Sequence, residues 1–259
     1  MQPASAQQIV SKGDSFLSAR FAIGEAHEDG RRETGLVMEI RPGWKTYWRI
    51  PGEMGVPPQL DWSRSENVAA LDLDWPRPVL FESFGYLTLG YGGRVVMPIT
   101  LTPADASQPM RLALNGQVGV CKDICVFETI AIETEIMPEA PGPDRTSIGV
   151  ARLSLPEPGP VAGVSMIACR IAGAGEERAF SGKLQMPDHG KAPHVVLEGP
   201  EGSWFDDVTA SPLEGGYYEV KATFHAPDAP AWIDRNAIVT TVLAGPLAAE
   251  VSGCAPAIQ

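Results

Sequence analysis

Hydrophobic and polar residues alternate along much of this chain with the two-residue period of β-strands. The alternation is clearest in residues 126–136, VFETIAIETEI, and it recurs in short segments on both sides of residue 142. Glycine and proline separate these segments. The 259 residues include 27 glycines and 24 prolines, which disfavour long helices because both residues break them. The pattern predicts an all-β protein whose one helical turn lies around Ala229 to Asn236.

One segment interrupts the alternation near the middle of the chain. Residues 137–145, MPEAPGPDR, contain three prolines and no apolar periodicity, which is typical of a linker between domains. Short strands bounded by turn residues lie on both sides of this segment, and strands at that spacing favour a sandwich or a barrel. We therefore predict two β-sandwich domains, residues 9–140 and residues 143–259, the second of unknown role.

The charge balance excludes one large class of function. The chain has 20 Lys and Arg residues against 32 Asp and Glu residues, a formal net charge of −12. A nucleic-acid binder needs a basic surface that displaces counterions from phosphates, so we expect no nucleic-acid partner. No apolar run reaches the roughly 18 residues of a membrane-spanning helix. The small residues Ala4-Ser5-Ala6 have the form left at a secretory cleavage site, and ordinary N-terminal sequence is the alternative.

Four cysteines form one close pair, Cys121 and Cys125, and one distant pair, Cys169 and Cys254. An even number of cysteines fits an export compartment in which disulfides form. Residues four apart in a straight strand lie roughly 13 Å apart, so the close pair can bond only if the chain turns between them. In the chain-entropy model so short a loop gains only about 2 kcal/mol, whereas the distant pair gains roughly 4–5 kcal/mol. The distant pair is therefore predicted to be a structural disulfide.

The residues alone leave the function of the close pair open between a redox centre and a simple clip at a hairpin tip. The adjacent Lys122 favours a thiolate and Asp123 opposes it, so their combined effect on reactivity has no definite sign. Two thiolates at this spacing can also hold Cu(I), but the four histidines lie far away in the sequence, and we predict no metal site. The sequence contains no motif of a serine hydrolase, a P-loop NTPase or a zinc metalloprotease.

Three longer stretches of the chain resemble one known family. They are GWKTYWRIPGEMGVPPQLDW from residue 43, WPRPVLFESFGYLTLGYGGRVVMPI from residue 75 and NGQVGVCKDICVFET from residue 115. Together, over residues 15–136, they resemble the N-terminal periplasmic region of the DsbD/ScsB family of transmembrane thiol:disulfide reductases. The three residues between the cysteines are closer to the ScsB-like branch, because DsbD itself has a longer gap.

The resemblance implies both a fold and a function. Family members carry electrons from a cytoplasmic thioredoxin through a membrane domain to a periplasmic immunoglobulin-like domain, which reduces disulfides of partner proteins. We therefore expect two tandem immunoglobulin-like sandwiches in the periplasm, acting as a protein-disulfide reductase with no cofactor besides the redox-active disulfide. The expected partners are periplasmic thioredoxin-fold proteins, of the disulfide isomerase or peroxiredoxin-like kind, and the membrane domain of a longer chain of which this is one part. The associated processes are cytochrome c biogenesis and copper tolerance.

The same resemblance implies roles for individual residues. Cys121 and Cys125 match the redox-active pair, with Cys125 preferred as the attacking cysteine. Residues 81–86 match the family's cap loop, in which Phe84 would shield the disulfide. Glu82 is the one carboxylate in this segment, whereas the cap loop of DsbD is more acidic, so assistance by an acid or base is not implied. The other residues expected around the disulfide are Tyr47, Trp48, Tyr86, Lys122 and Asp123.

Two other functions compete with disulfide reduction. One is a non-catalytic periplasmic interaction module with two structural disulfides, and the other is a Cu(I)-binding protein for copper tolerance. The reduction potential of the close pair separates the first alternative from exchange. Exchange proteins have potentials of about −120 to −270 mV, whereas structural disulfides lie below about −300 mV.

Overall fold

The computed structural model describes residues 15–83, 85–228 and 232–255. The chain divides into two compact units, the first ending at Leu155 and the second beginning at Pro156. Strands dominate both units, and within the described residues they pair antiparallel except for one short parallel pair in the second unit. The predicted all-β class is confirmed.

Two antiparallel sheets form the first unit. Its elements in chain order are β1 (Leu17–Ala26), β2 (Arg32–Ile40), β3 (Lys45–Gly52), β4 (Gln59–Asp61), β5 (Val68–Leu73), β6 (Val79–Ser83), β7 (Tyr86–Gly92), β8 (Arg94–Pro103), β9 (Met110–Cys121), β10 (Cys125–Ile136) and the helix α1 (Arg145–Arg152). The smaller sheet has the strand order β1-β2-β8-β5. The larger has the order β10-β9-β3-β7-β6, with β4 also paired to β9, and it carries the close cysteine pair.

Alternation along β9 determines which side chains enter the core of the first unit. Val118 and Val120 are fully buried, as is Leu36 of the smaller sheet. Successive residues of a strand point to opposite faces, so Gly119 and Cys121 lie on the other face of the larger sheet. We call this second face the outer face. The closely spaced cysteines therefore belong to the outer face and not to the core between the sheets.

Two further sheets form the second unit. Its elements are β11 (Glu157–Pro158), α2 (Gly159–Ala162), β12 (Ser165–Ala172), β13 (Glu177–Gln185), β14 (His194–Glu198), β15 (Trp204–Leu213), β16 (Tyr217–His225), a 3-10 turn (Arg235–Ala237), β17 (Val239–Ala244) and β18 (Leu247–Ser252). The strand orders are β11-β18-β17-β14 and β12-β13-β16-β15. Phe180 and Phe224 from one sheet share a buried cluster with Leu197 and Val242 from the other, which is the core that a β-sandwich requires.

The boundary between the two units differs from the prediction. The sequence predicted a linker at residues 137–145 and a second domain from residue 143, whereas the first unit continues to Leu155. The difference is the helix α1, whose eight residues follow directly after the proline-rich segment. Prolines before a helix do not prevent it, because their effect is confined to the helix interior.

Apolar and ionic contacts hold α1 against the smaller sheet of the first unit. Ile148 is fully buried and packs with Ala22 and Val37. At the end of the helix, Arg152 donates to the Asp74 carboxylate at 2.8 Å. The alternation pattern missed α1 because so short a helix presents little more than one buried turn.

Two sequence predictions fall wholly or partly outside the described residues. The predicted helical turn around Ala229 to Asn236 is described only from residue 232 onward, where a 3-10 turn covers Arg235–Ala237 and the Asp234 carboxylate accepts the Asn236 amide at 3.0 Å. The cleavage-site residues Ala4-Ser5-Ala6 lie outside the described ranges. Among the helices that the structure describes, none has the length and apolar character needed to cross a bilayer.

Candidate active site

The close cysteine pair lies at the tip of the β9–β10 hairpin. Cys121 is the last residue of β9, Cys125 is the first residue of β10, and the two are register partners. The turn between them is closed by the Lys122 amide, which donates to the Ile124 carbonyl at 3.0 Å. Their Cα atoms lie 4.1 Å apart and their sulfurs form a disulfide. The bond therefore joins two paired strands across a tight turn, as the spacing requires.

The two cysteines differ in their access to solvent. Cys121 is only 2% exposed, whereas Cys125 is an exposed residue. A thiolate must approach a disulfide sulfur directly in order to exchange with it. The site is therefore asymmetric, because an incoming thiolate meets Cys125 first.

A buried tyrosine hydroxyl contacts both sulfurs. The Oη atom of Tyr47 lies 3.0 Å from Sγ of Cys121 and 3.7 Å from Sγ of Cys125. The ring lies over Gly119, where an added Cβ would be 3.2 Å from two ring carbons, so the missing side chain leaves room for it. Burial raises the pKa of Tyr47, which keeps the hydroxyl protonated and able to donate to sulfur.

A lysine occupies the strand position next to the buried cysteine. Lys45 in β3 is the register partner of Cys121 on one side and of Gly92 on the other. Its Nζ donates to Oγ1 of Thr88 at 3.3 Å and lies 5.2 Å from the centre of the Phe81 ring. Burial lowers the pKa of Lys45. The ammonium of Lys45 is therefore held on the outer face by the β6–β7 hairpin.

Strands β6 and β7 form the hairpin that contains the predicted cap loop. Phe81 and Thr88 are register partners in it, and Tyr86, two residues before Thr88 and 44% exposed, lies on the same face of the sheet. Glu82 is exposed and follows Phe81, so strand alternation directs it to the opposite face. Phe84 lies outside the described residues, and its shielding role stays a prediction.

Comparison with known proteins identifies the first unit. Residues 14–135 match the family model described as "Thiol:disulfide interchange protein DsbD, N-terminal". These residues belong to the DsbD N-terminal family. The match covers β1 to β10 and includes both closely spaced cysteines, and we refer to the first unit as the DsbD-family domain.

Solved structures extend the likeness to both units at the level of the fold. The crystal structure of the N-terminal periplasmic domain of ScsB from Proteus mirabilis aligns with a TM-score of 0.70 and 22% sequence identity, covering 97% of this chain and 98% of the other. The tandem immunoglobulin-like fold is thereby confirmed. A marsupial T cell receptor aligns with a TM-score of only 0.21 at 11% identity, covering 94% of this chain and 98% of that one. No curated protein sequence matches the chain.

The other residues predicted around the disulfide differ in where their side chains lie. Trp48 is fully buried and adjoins Tyr47 in β3, so alternation directs its ring to the inner side of the sheet, away from the disulfide. Lys122 lies along the turn at Gly43, with three side-chain atoms within 3.9 Å of the position of an added Cβ. Asp123 is exposed at the hairpin tip.

Exposed apolar side chains flank the accessible cysteine of the DsbD-family domain. Ile124 is 64% exposed and Phe127 is 61% exposed. Phe127 lies two residues after Cys125 and therefore shares its face of the sheet. Apolar surface therefore adjoins the exposed cysteine.

The distant cysteine pair has a different environment. Cys169 and Cys254 form a disulfide whose Cα atoms lie 5.7 Å apart. Cys169 is buried within the core cluster of the second unit, and its amide donates to the Ala255 carbonyl at 2.8 Å. This disulfide fastens β12 to the chain segment after β18. Its structural role stays a prediction.

Sequence reasoning missed part of the outer face. It did not single out Lys45, Phe81 or Thr88, because prolines and glycines interrupt the strand alternation in residues 76–93. The signal for Lys45 was available, since Lys45 and Tyr47 are two residues apart in a strand and so share a face. Within the described residues there is no group of three or more His, Cys, Asp or Glu side chains that could hold a metal ion.

Proposed function

We propose that the DsbD-family domain is a periplasmic thiol–disulfide exchange module that reduces disulfides of partner proteins. The observation that carries the proposal is the Cys121–Cys125 disulfide on the outer face, with Cys121 buried and Cys125 exposed. A disulfide stabilises a fold most when it closes a long loop. The Cys121–Cys125 bond instead closes a shorter loop than any other pairing of the four cysteines would. Membership of the DsbD N-terminal family supports the same role.

The exchange proceeds in two balanced steps. A thiolate of the electron donor attacks Sγ of Cys125, forming a mixed disulfide, and the sulfur of Cys121 leaves with the electron pair as a thiolate. The second thiol of the donor, once deprotonated, attacks the donor sulfur that is bonded to Cys125. That bond breaks, and Cys125 leaves as a thiolate. The donor is oxidised to a disulfide, and the cysteine pair has gained two electrons and two protons.

The reduced pair then reverses these steps with a substrate. The Cys125 thiolate attacks a disulfide of a partner protein, and Cys121 resolves the mixed disulfide, so that the partner leaves reduced and the Cys121–Cys125 bond forms again. The exposed position of Cys125 supports its role as the attacking cysteine. Tyr47 supports Cys121 in either direction, because its hydroxyl can donate to the thiolate.

The proposed electron donor is a membrane-embedded reductase domain of a longer chain, and the proposed substrates are periplasmic thioredoxin-fold proteins. The exposed Ile124 and Phe127 support a protein substrate, because apolar side chains beside Cys125 suit contact with another folded surface better than contact with a small thiol. Phe84 is proposed as the shield that covers the disulfide until a partner docks, which would be a gating role.

The reduction potential of the Cys121–Cys125 pair tests this function. The chain is equilibrated with graded ratios of oxidised and reduced glutathione, free thiols are alkylated, and peptides carrying each cysteine are quantified by mass spectrometry. We expect the pair to equilibrate between about −120 and −270 mV. The Cys169–Cys254 pair in the same sample is the internal control, and it should stay oxidised throughout. A value for Cys121–Cys125 below about −300 mV would contradict the proposal and favour a structural clip.

A further inference from the structure

The ring of Tyr47 lies against two chain positions that have no side chain. One edge of the ring, at Cδ2 and Cε2, lies over Gly119 of β9, where an added Cβ would be 3.2 Å from both carbons. The opposite edge lies by Gly55, between β3 and β4, where an added Cβ would be 3.0 Å from Cδ1. Both distances are shorter than the roughly 3.5–4.0 Å of an ordinary contact between carbon atoms. The ring therefore occupies space that a side chain at either position would take.

The contact between this ring and Gly119 is specific to one pair of residues. Gly119 is buried, and Tyr47 is only 4% exposed. Apart from the chain neighbours of Gly119, no described residue other than Tyr47 comes within 4 Å of the Cβ position there. Phe127, the register partner of Gly119 in β10, is 61% exposed. The burial of Gly119 therefore comes from the tyrosine ring packed on it.

The backbone of Gly119 is held in place beneath the ring. Oγ1 of Thr46, the residue before Tyr47, donates to the Gly119 carbonyl at 2.8 Å, and Thr46 is fully buried. On its other side, Gly119 is paired with Phe127 in the ladder between β9 and β10. The tyrosine ring, in contrast, can rotate about its side-chain bonds. A methyl group added at Gly119 would therefore displace the ring rather than the paired strand.

A displaced ring would carry its hydroxyl away from the disulfide. Cys121 lies two residues after Gly119 and so on the same face of β9. The Oη atom of Tyr47 is 3.0 Å from Sγ of Cys121 and 3.7 Å from Sγ of Cys125. Restoring an ordinary contact at an added methyl requires a displacement of about 0.3–0.8 Å. A change of that size separates a good hydrogen bond from a poor one.

We propose that Gly119 is a positioning residue for disulfide exchange, because its missing side chain lets the Tyr47 ring pack on β9 and hold its hydroxyl against the cysteine sulfurs. When a donor thiolate bonds to Sγ of Cys125, the Sγ–Sγ bond breaks and the electron pair goes to Cys121. The Tyr47 hydroxyl keeps its proton and donates a hydrogen bond to the new thiolate, which stabilises the reduced state. The inference rests on the proposed exchange function and adds a residue to it.

Three single variants and one double variant test the proposal. Gly119→Ala adds one methyl group, Tyr47→Phe removes the hydroxyl and keeps the ring, and the double variant combines them. Gly92→Ala is the matched control. Gly92 is the register partner of Lys45 and so lies on the same face of the same sheet, and an added Cβ there would be 3.6 Å or more from its neighbours. Neither glycine has a positive φ, so alanine suits the backbone at both positions.

The measured quantity is the ratio of reduced to oxidised Cys121–Cys125 pair at equilibrium in glutathione buffers, obtained by alkylation and mass spectrometry at a series of pH values. As thiolate forms with rising pH, we expect Gly119→Ala to lower this ratio by about three- to ten-fold, which corresponds to about half of a charge-assisted hydrogen bond. In the Tyr47→Phe background the same methyl group should leave the ratio unchanged, because the hydroxyl is already absent. Gly92→Ala should also leave it unchanged.

Thermal unfolding establishes that each variant is folded. If Gly119→Ala does not fold, Thr46→Val decides by the same comparison. It removes the hydrogen bond to the Gly119 carbonyl with little change in volume, so the backbone beneath the ring is held less firmly. It should lower the ratio of reduced to oxidised pair in the same direction, and this effect should disappear in the Tyr47→Phe background.

The outcomes separate this inference from the proposed function. If folded Gly119→Ala has the same ratio as the unsubstituted chain at every pH, the inference is overturned, while exchange by the unsubstituted pair upholds the function. If the methyl group lowers the ratio equally with and without the Tyr47 hydroxyl, it acts by packing alone, and the inference is again overturned. If the unsubstituted pair does not exchange with glutathione at any pH, the proposed function fails, and the inference fails with it.

Discussion

Removing the hydroxyl group of Tyr47 tests how this site sets the ionisation and the reduction potential of the cysteine pair. Tyr47→Phe deletes one oxygen atom that lies 3.0 Å from Sγ of Cys121 and 3.7 Å from Sγ of Cys125, and it keeps the ring that covers Gly119. The hydrogen bond to the neutral disulfide is weak, because bonded sulfur is a poor acceptor. The hydrogen bond to a thiolate is charge-assisted and stronger. The substitution therefore destabilises the reduced state more than the oxidised state.

The size of the effect follows from the charge on the acceptor. A hydrogen bond to a charged group contributes about 1.5–3 kcal/mol. A shift of one unit in a pKa corresponds to about 1.4 kcal/mol. The pH midpoint of thiolate formation should therefore rise by about one to two units. For a two-electron couple about 1.4 kcal/mol equals about 30 mV, so the reduction potential should fall by about 30–65 mV at pH values above the midpoint. Well below the midpoint both sulfurs are protonated in both proteins, and the difference should vanish.

The assay is a redox titration of Tyr47→Phe and the unsubstituted chain at several pH values. Tyr91→Phe is the matched control, because Tyr91 is also 4% exposed and its hydroxyl donates to the Pro76 carbonyl at 2.7 Å, not to sulfur. It should cost about 1 kcal/mol of unfolding free energy without changing the potential. Equal potentials for Tyr47→Phe and the unsubstituted chain at every pH would refute the reasoning, as would an equal shift in Tyr91→Phe.

Three further predictions concern the cysteines and the cap. Cys121→Ser should accumulate a mixed disulfide with a partner protein because the exposed Cys125 still attacks, whereas Cys125→Ser should accumulate little; non-reducing electrophoresis distinguishes them, and equal trapping would contradict the asymmetry. Replacing both Cys169 and Cys254 by Ala should lower the free energy of unfolding by about 2–5 kcal/mol in denaturant titrations, with the exchange rate of the other pair unchanged. Phe84→Ala should speed oxidation of the reduced pair by small oxidants, and an unchanged oxidation rate would contradict the shielding role of Phe84.

Much of the fold could be predicted because strand alternation is a local signal. The segments around residues 94–101, 111–120 and 126–136 are strands β8, β9 and β10, and most of the second unit follows the same pattern. The hairpin β6–β7 could not be predicted in this way, since its prolines and glycines obscure the alternation. Helix α1 was missed for another reason: its apolar positions are too few, and its buried contacts come from strands far away in the sequence.

The site was predicted in part because its two cysteines are close in the sequence. Their bonding requires only a turn between paired strands, which spacing alone can indicate. The placement of Tyr47 above both sulfurs depends on how β3 pairs with β9, and alternation does not reveal which strands are neighbours. The same limit explains why Lys45 was overlooked and why Trp48, adjacent to Tyr47, lies on the inner side.

The pairing of β9 with β10 beneath the Cys121–Cys125 disulfide has a kinetic consequence for the proposed exchange. Hydrogen bonds between β9 and β10 continue up to the residues that carry the sulfurs, so opening the disulfide removes no constraint that the strands do not already impose. The separated sulfurs stay within reach of each other, and their encounter is intramolecular, with an effective concentration far above that of any free thiol. We therefore expect a mixed disulfide with another protein to be short-lived. The hairpin keeps the second cysteine in position to resolve it and release the partner.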